Sequence, residues 1–155
     1  MLSQEQIDAL RPSLFAGHYN LLLGSGISLD SYAATGTPLK GAFDLTADLC
    51  ALKDVKDTTP LSRVSLLLTP SETEKYLTKP YVACRPGETV NRLTSFVWKT
   101  AFTLNIDDAL EAAYERVVHP KQKIESLNYD SHFKKNKLNL IKFFLIKIFL
   151  LISVF

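Results

Sequence analysis

The stretch Tyr19–Ser28, YNLLLGSGIS, decides how the chain is read, because an apolar run passes without a break into a Gly-x-Gly turn. Asn20–Leu23 is too short for a helix and is followed at once by glycine, which predicts a buried strand. Glycine at 24 and 26 lets the backbone turn sharply and approach a phosphate with no Cβ in the way. Ser25 and Ser28 add hydroxyl donors. The dinucleotide fingerprint needs a third glycine at the position held here by Leu29, and it opens directly into a helix. On these residues alone, a phosphate loop and a plain turn after a strand are both open.

The next informative stretch lies eighty residues on, at Thr100–Tyr114, TAFTLNIDDALEAAY. Trp98–Leu104 predicts a second buried strand, and Asp107–Val118 a helix with Leu110, Ala113, Tyr114 and Val117 on one face. Asn105, at the strand's end, can orient a ribose hydroxyl or a water through its amide. Asp107 can accept from a carboxamide or hydroxyl, while the structural alternative is that Asp107 or Asp108 caps the helix. Glu111 and Glu115 stand at helical spacing and read as a solvated face. In an open α/β sheet, loops at the carboxyl ends of strands form the ligand crevice. Two such loops predict a nucleotide pocket.

Between and around these strands the periodicity is helical. Ser3 with Gln6 forms a capping box, and Ile7, Leu10 and Leu14 follow at helical spacing toward Gly17. Gly24–Pro38 is a long loop; Leu39, Phe43, Leu45, Leu49 and Leu52 then mark a second helix. Thr59 before Pro60 opens a third, and Ser71 with Glu74 a second capping box. Arg85-Pro86-Gly87 reads as a turn and Glu88–Phe96 as a helix. Strands alternating with helices predict an α/β fold built on a parallel sheet.

Bulk composition narrows the function. The chain has 155 residues, enough for one modest domain, with 46% hydrophobic and 22% charged residues. Its net charge of +2 gives no electrostatic case for nucleic acid. Cys50 and Cys84 lie in no Cys-x-x-Cys pair, so they read as small buried apolar residues rather than a disulfide or metal framework. No basic leader precedes an apolar run, which makes cytoplasmic the expected location.

Taken together, LLLGSGIS and WKTAFTLNIDDALEAAYE resemble the N-terminal half of the sirtuin-like NAD-binding family, in its bacterial defence-type, NAD-hydrolysing branch. The resemblance rests on Gly24, Gly26 and Ser28, then Gly36 and Pro38, then Trp98, Thr103, Asn105, Asp107, Leu110 and Glu111. It implies a partial Rossmann-like parallel sheet with flanking helices, incomplete at the C-terminus. It further implies that Gly24, Ser25, Gly26 and Ser28 cradle the NAD pyrophosphate. Asn105 is then the catalytic residue at the nicotinamide ribose, and Asp107 binds the nicotinamide side. The reaction implied is cleavage of the nicotinamide–ribose bond, with no metal, and full-length relatives imply a homo-oligomer. The family's later His-Gly pair has no counterpart, since no glycine follows Gly87 and the remaining histidines are His119 and His132. The expectation is an NAD-binding domain without turnover, the alternative being an active enzyme that recruits His132. Four cysteines for a zinc ribbon are not present, which argues against deacylation.

From Lys134 the vocabulary changes: residues 134–155 hold five Lys, five Leu, four Ile and four Phe, with no acidic residue, Ala, Gly or Pro. This is the output of A/T-rich codons, so the domain is expected to span 1–133, with 134–155 a frameshift-derived tail. The competing reading is weak membrane association through 138–155, against which Lys142 and Lys147 each cost on the order of 2.5–3.5 kcal/mol near a bilayer centre.

Overall fold

Ser3 begins the chain's first helix as expected. Its hydroxyl accepts from Gln6 N at 3.2 Å, while its own N–H donates to Gln6 Oε1 at 2.8 Å. The computed structural model describes residues 3–127 and 138–142. Helix α1 (Gln4–Phe15) precedes strand β1 (Asn20–Leu23); helices α2 (Ala42–Lys53), α3 (Leu61–Val64), α4 (Pro70–Thr73) and α5 (Glu88–Leu93) follow before strand β2 (Thr100–Thr103), and helix α6 (Ala109–Arg116) leads on to strands β3 (Ile124–Leu127) and β4 (Leu138–Lys142). The strands form one sheet in the order β1-β2-β4-β3, and every pairing is parallel. The chain is therefore α/β with a parallel sheet.

Burial along the strands follows their place in the sheet. In interior β2, Thr100, Ala101 and Thr103 are buried; in interior β4, Leu138 and Leu140 are wholly so. β1 is an edge strand: Leu23 is buried, but Leu22 is 76% exposed, so the buried strand expected at 20–23 is buried on one face only. β2 is shorter than the expected Trp98–Leu104. Trp98 stops short of the ladder, donates its indole N–H to Leu93 O at 2.9 Å, and packs on Phe96, itself stacked on Phe15 of α1. The Gln122 side chain clips the Trp98 backbone from both sides, accepting from its N–H at 2.7 Å and donating to its carbonyl at 2.8 Å.

The boundary expected at 134 falls inside the sheet's own chain. Leu138–Lys142 come from the stretch set apart as a tail, yet β4 lies between β2 and β3. Leu138 and Leu140, two residues apart, share a strand face. Residues 134–137 and 143–155, and with them most of the expected membrane segment, lie outside the described residues. Among the described residues, no helix is long and apolar enough to cross a membrane.

Three local expectations need correction. The second capping box begins at Thr69, not Ser71: Thr69 Oγ1 accepts from Glu72 N at 3.3 Å, and Pro70 takes the first helical position. Pro60, not Thr59, flanks α3. Leu45 and Leu49 of α2 are buried, but Phe43 is 86% exposed, because at 100° per residue it stands roughly 200° around the helix from Leu45.

Long-range clasps fix the loops over the sheet. The Asp30 carboxylate accepts from Thr89 N and Thr89 Oγ1, both at 2.8 Å, and these bonds hold it below the usual carboxylate range. Gly87 beside it is obligatory, since a Cβ there would overlap the Asp30 carboxylate and carbonyl. The Asp108 carboxylate accepts from Ala83 N at 2.7 Å and Cys84 N at 2.9 Å, holding Ala83 in the left-handed region at φ +56°. Burial, with Asp108 alongside, pushes the Cys84 thiol up to about 12, so it is a protonated, apolar filler as its sequence context suggests.

Candidate functional site

The ends of β1 and β2 adjoin, Leu23 pairing with Thr103 and Leu104 N donating to Leu23 O at 3.3 Å. Beyond Leu23 the chain closes a 3₁₀ turn over Ser25–Ser28, with Ile27 N donating to Gly24 O at 3.1 Å. This turn stands where the sequence reading placed only open loop, and it buries Ser28 at the strand end. Beyond Thr103, the Thr103 hydroxyl accepts from Asn105 N at 3.0 Å, which turns the backbone and buries the Asn105 side chain.

The two turns therefore meet through side chains. Asn105 Nδ2 donates to Ser28 Oγ at 3.2 Å, and Ser28 Oγ donates to Asp107 Oδ1 at 3.0 Å. The same Asp107 oxygen accepts from Ala109 N at 3.2 Å. Asp107, one residue before the cap position, thus takes the first N–H of α6 while also anchoring Ser28; Asp108, at the cap position, makes no side-chain capping bond and turns its carboxylate away to Ala83 and Cys84. Asn105 Oδ1 is buried with no hydrogen-bond partner among the described residues. Turning the amide over does not help, because Ser28 Oγ satisfies one end and leaves the other.

A pocket of about 70 Å³ opens against Ser25, Ser28, Asn105 and Asp107. Its far wall is Leu39, Lys40, Leu45 and Tyr81. Tyr81 donates its hydroxyl to Lys40 O at 3.1 Å and takes Asp108 N–H on its carbonyl at 3.1 Å. Burial first, then the charges of Asp107 and Asp48, pushes the Tyr81 phenol up to about 12, so it remains a donor at neutral pH. Lys40, on the rim, pairs with Asp48. The sequence reading did not single out Lys40 or Tyr81; Tyr81 sits in a Lys-Pro-Tyr segment with no periodicity to mark it.

Of the residues singled out, Ser25, Ser28, Asn105 and Asp107 line this pocket, while Gly24 and Gly26 belong to the same turn as Ser25 and Ser28 but do not line it. Neither glycine is required by the fold. A Cβ at either meets nothing within 4 Å, and neither lies in the left-handed region. Among the described residues no histidine lines the pocket; His119 is exposed, and His132 lies outside them. Among the described residues, no group of three or more potential metal ligands gathers. The chain matches no protein-family model, and comparison with curated proteins finds no similar sequence.

Proposed function

We propose that the crevice at the carboxyl ends of β1 and β2 binds NAD, and that the chain is the NAD-binding part of a sirtuin-like, NAD-hydrolysing domain on a partial Rossmann-like sheet. The observation that carries the reading is the buried Asn105–Ser28–Asp107 relay joining two loops 77 residues apart, with one end of its amide left over. A leftover carbonyl suits a ribose hydroxyl, or the positive charge that develops on the ribose as nicotinamide departs. Glycines at 24 and 26 that the fold does not demand suit a phosphate seated against backbone. Among the described residues no histidine lines the crevice, and a general base contributes ~10²–10⁴-fold, so the expected behaviour is NAD binding without appreciable turnover.

Calorimetric titration of the purified chain with NAD, paired with a nicotinamide-release assay, tests this. The expected result is saturable binding that Asn105→Ala weakens at least tenfold, with release at background. Absence of binding overturns the proposal, as does equal binding by the variant. Release that Asn105→Ala abolishes keeps the site and replaces binding alone by an active enzyme.

A further inference from the structure

Beside the polar crevice, across a wall of Leu39, Lys40, Leu45 and Tyr81 common to both, lies a second cavity of about 400 Å³. At that volume the cavity falls within the ~300–1,000 Å³ of small-molecule sites. Three lysines, Lys40, Lys75 and Lys79, reach it against one carboxylate, Asp48. Lys40 and Asp48 pair with each other. Lys75 and Lys79 join no ion pair among the described residues, so two positive charges at the cavity stand uncompensated. Both belong to the helical segment running from Glu74 to Tyr81, a π turn over Glu74–Thr78 followed by a 3₁₀ turn over Lys79–Tyr81.

The rest of the lining is largely apolar. The Tyr76 ring is half-buried, with Lys75 Nζ 4.9 Å from its centroid, and Pro38 and Pro80 extend that surface. The Tyr81 hydroxyl is already engaged by Lys40 O, leaving its ring as wall. Thr35 and Thr37, whose hydroxyls lie 3.0 Å apart, supply the only neutral side-chain hydroxyls of the lining other than the two tyrosines.

We propose that this cavity binds a small molecule joining a flat ring to a phosphate dianion, a nucleoside monophosphate by chemical class. The ring stacks against Tyr76, and Lys75 and Lys79 neutralise the phosphate. The site is separate from the β1–β2 crevice and does not depend on what the crevice binds.

Calorimetry with adenosine monophosphate, adenosine and inorganic phosphate on the full chain tests the assignment. The monophosphate should bind at least tenfold more tightly than adenosine or phosphate alone. The double variant Lys75→Ala/Lys79→Ala should lose at least tenfold in that affinity with an unchanged melting temperature, both lysines being exposed. Lys75→Arg/Lys79→Arg should retain it. Equal affinity for adenosine overturns the phosphate contact, and an unaffected double alanine variant overturns the lysine assignment. Asn105→Ala should leave monophosphate binding unchanged; if it abolishes binding, the ligand sits in the crevice and the second site is refuted. Failure of NAD to bind while the monophosphate does would refute the crevice reading alone.

Discussion

Gly26→Ala separates a glycine kept for the fold from one kept for a ligand. A methyl at 26 meets no atom within 4 Å, and the residue lies in a 3₁₀ turn outside the left-handed region. Alanine fits there without strain, and it reduces the freedom of the unfolded chain. The variant should therefore be as stable as the parent or more so, by about 0.4–1 kcal/mol. Gly87→Ala is the contrast. Its methyl overlaps Asp30, so either the overpacking remains or the two 2.8 Å bonds from Thr89 break, a cost of about 2–4 kcal/mol. Urea unfolding followed by circular dichroism measures both, and NAD titration supplies the functional half. If backbone at 26 lies against a phosphate, the methyl intrudes and affinity falls at least tenfold, equivalent to about 1.4 kcal/mol. Wild-type affinity in Gly26→Ala would refute the glycine's role in binding. A loss of more than about 1 kcal/mol in stability would refute the open space around it.

Leu140→Ala removes a wholly buried side chain from an interior strand and should cost about 2–5 kcal/mol in urea unfolding; unchanged stability would remove 138–142 from the sheet. Asp108→Ala deprives Ala83 and Cys84 of their acceptor and releases a left-handed residue, an expected loss of about 2–4 kcal/mol, whereas Asp108→Asn should recover part of it. Glu72 is held at about 2 by the Lys53 ammonium, then by the Thr69 backbone and hydroxyl. Its folded pKa is depressed below the ordinary 4.5, so its contribution is present above that pH and vanishes as the pH falls toward 2. Melting temperatures from pH 6 to pH 2 should decline more steeply for the parent than for Glu72→Gln, and parallel curves would contradict this.

The sequence was most legible where one residue type had one physical use. Leu21–Leu23 against Gly24, and Ala101–Thr103 against Asn105, mark strand ends because apolar runs stop there at turn formers. The Ser3 box was legible for the same reason. Two overlapping patterns were not: Thr69-x-x-Glu72 and Ser71-x-x-Glu74 both satisfy a capping box, and Pro70, suited to the first helical position, favours the earlier one. β3 was missed because Ile124–Leu127 is four residues long between polar neighbours, too short for alternation to stand out. β4 was masked by its surroundings, since a lysine-rich apolar stretch reads by composition while Leu138 and Leu140 act by position. In the site, Ser28, Asn105 and Asp107 could be found from the strands that carry them. Lys40 and Tyr81 could not, because a loop that closes over a sheet from elsewhere in the chain leaves no period to follow.

Helix capping explains only part of the second loop. Asp107 has a structural use, accepting from Ala109 N, and an aspartate before a helix needs no further reason. Asn105 is different. Its backbone N–H is already satisfied by the Thr103 hydroxyl, so the turn does not require its side chain. The amide gains one bond to Ser28, worth about 0.5–1.5 kcal/mol, and buries its other end unpaired at about 1–3 kcal/mol. A leucine of similar size at 105 would avoid that second term. Folding alone thus gives no net advantage to asparagine here, whereas a ligand that hydrogen-bonds the leftover end recovers the cost at the moment it binds. The same logic covers Gly24 and Gly26, which bring backbone entropy to a turn where alanine would fit. Three positions that are suboptimal for the fold thus lie on loops from two adjacent parallel strands, Asn105 lining the crevice and the glycines on the turn that carries Ser25 and Ser28, as the proposed ligand would require.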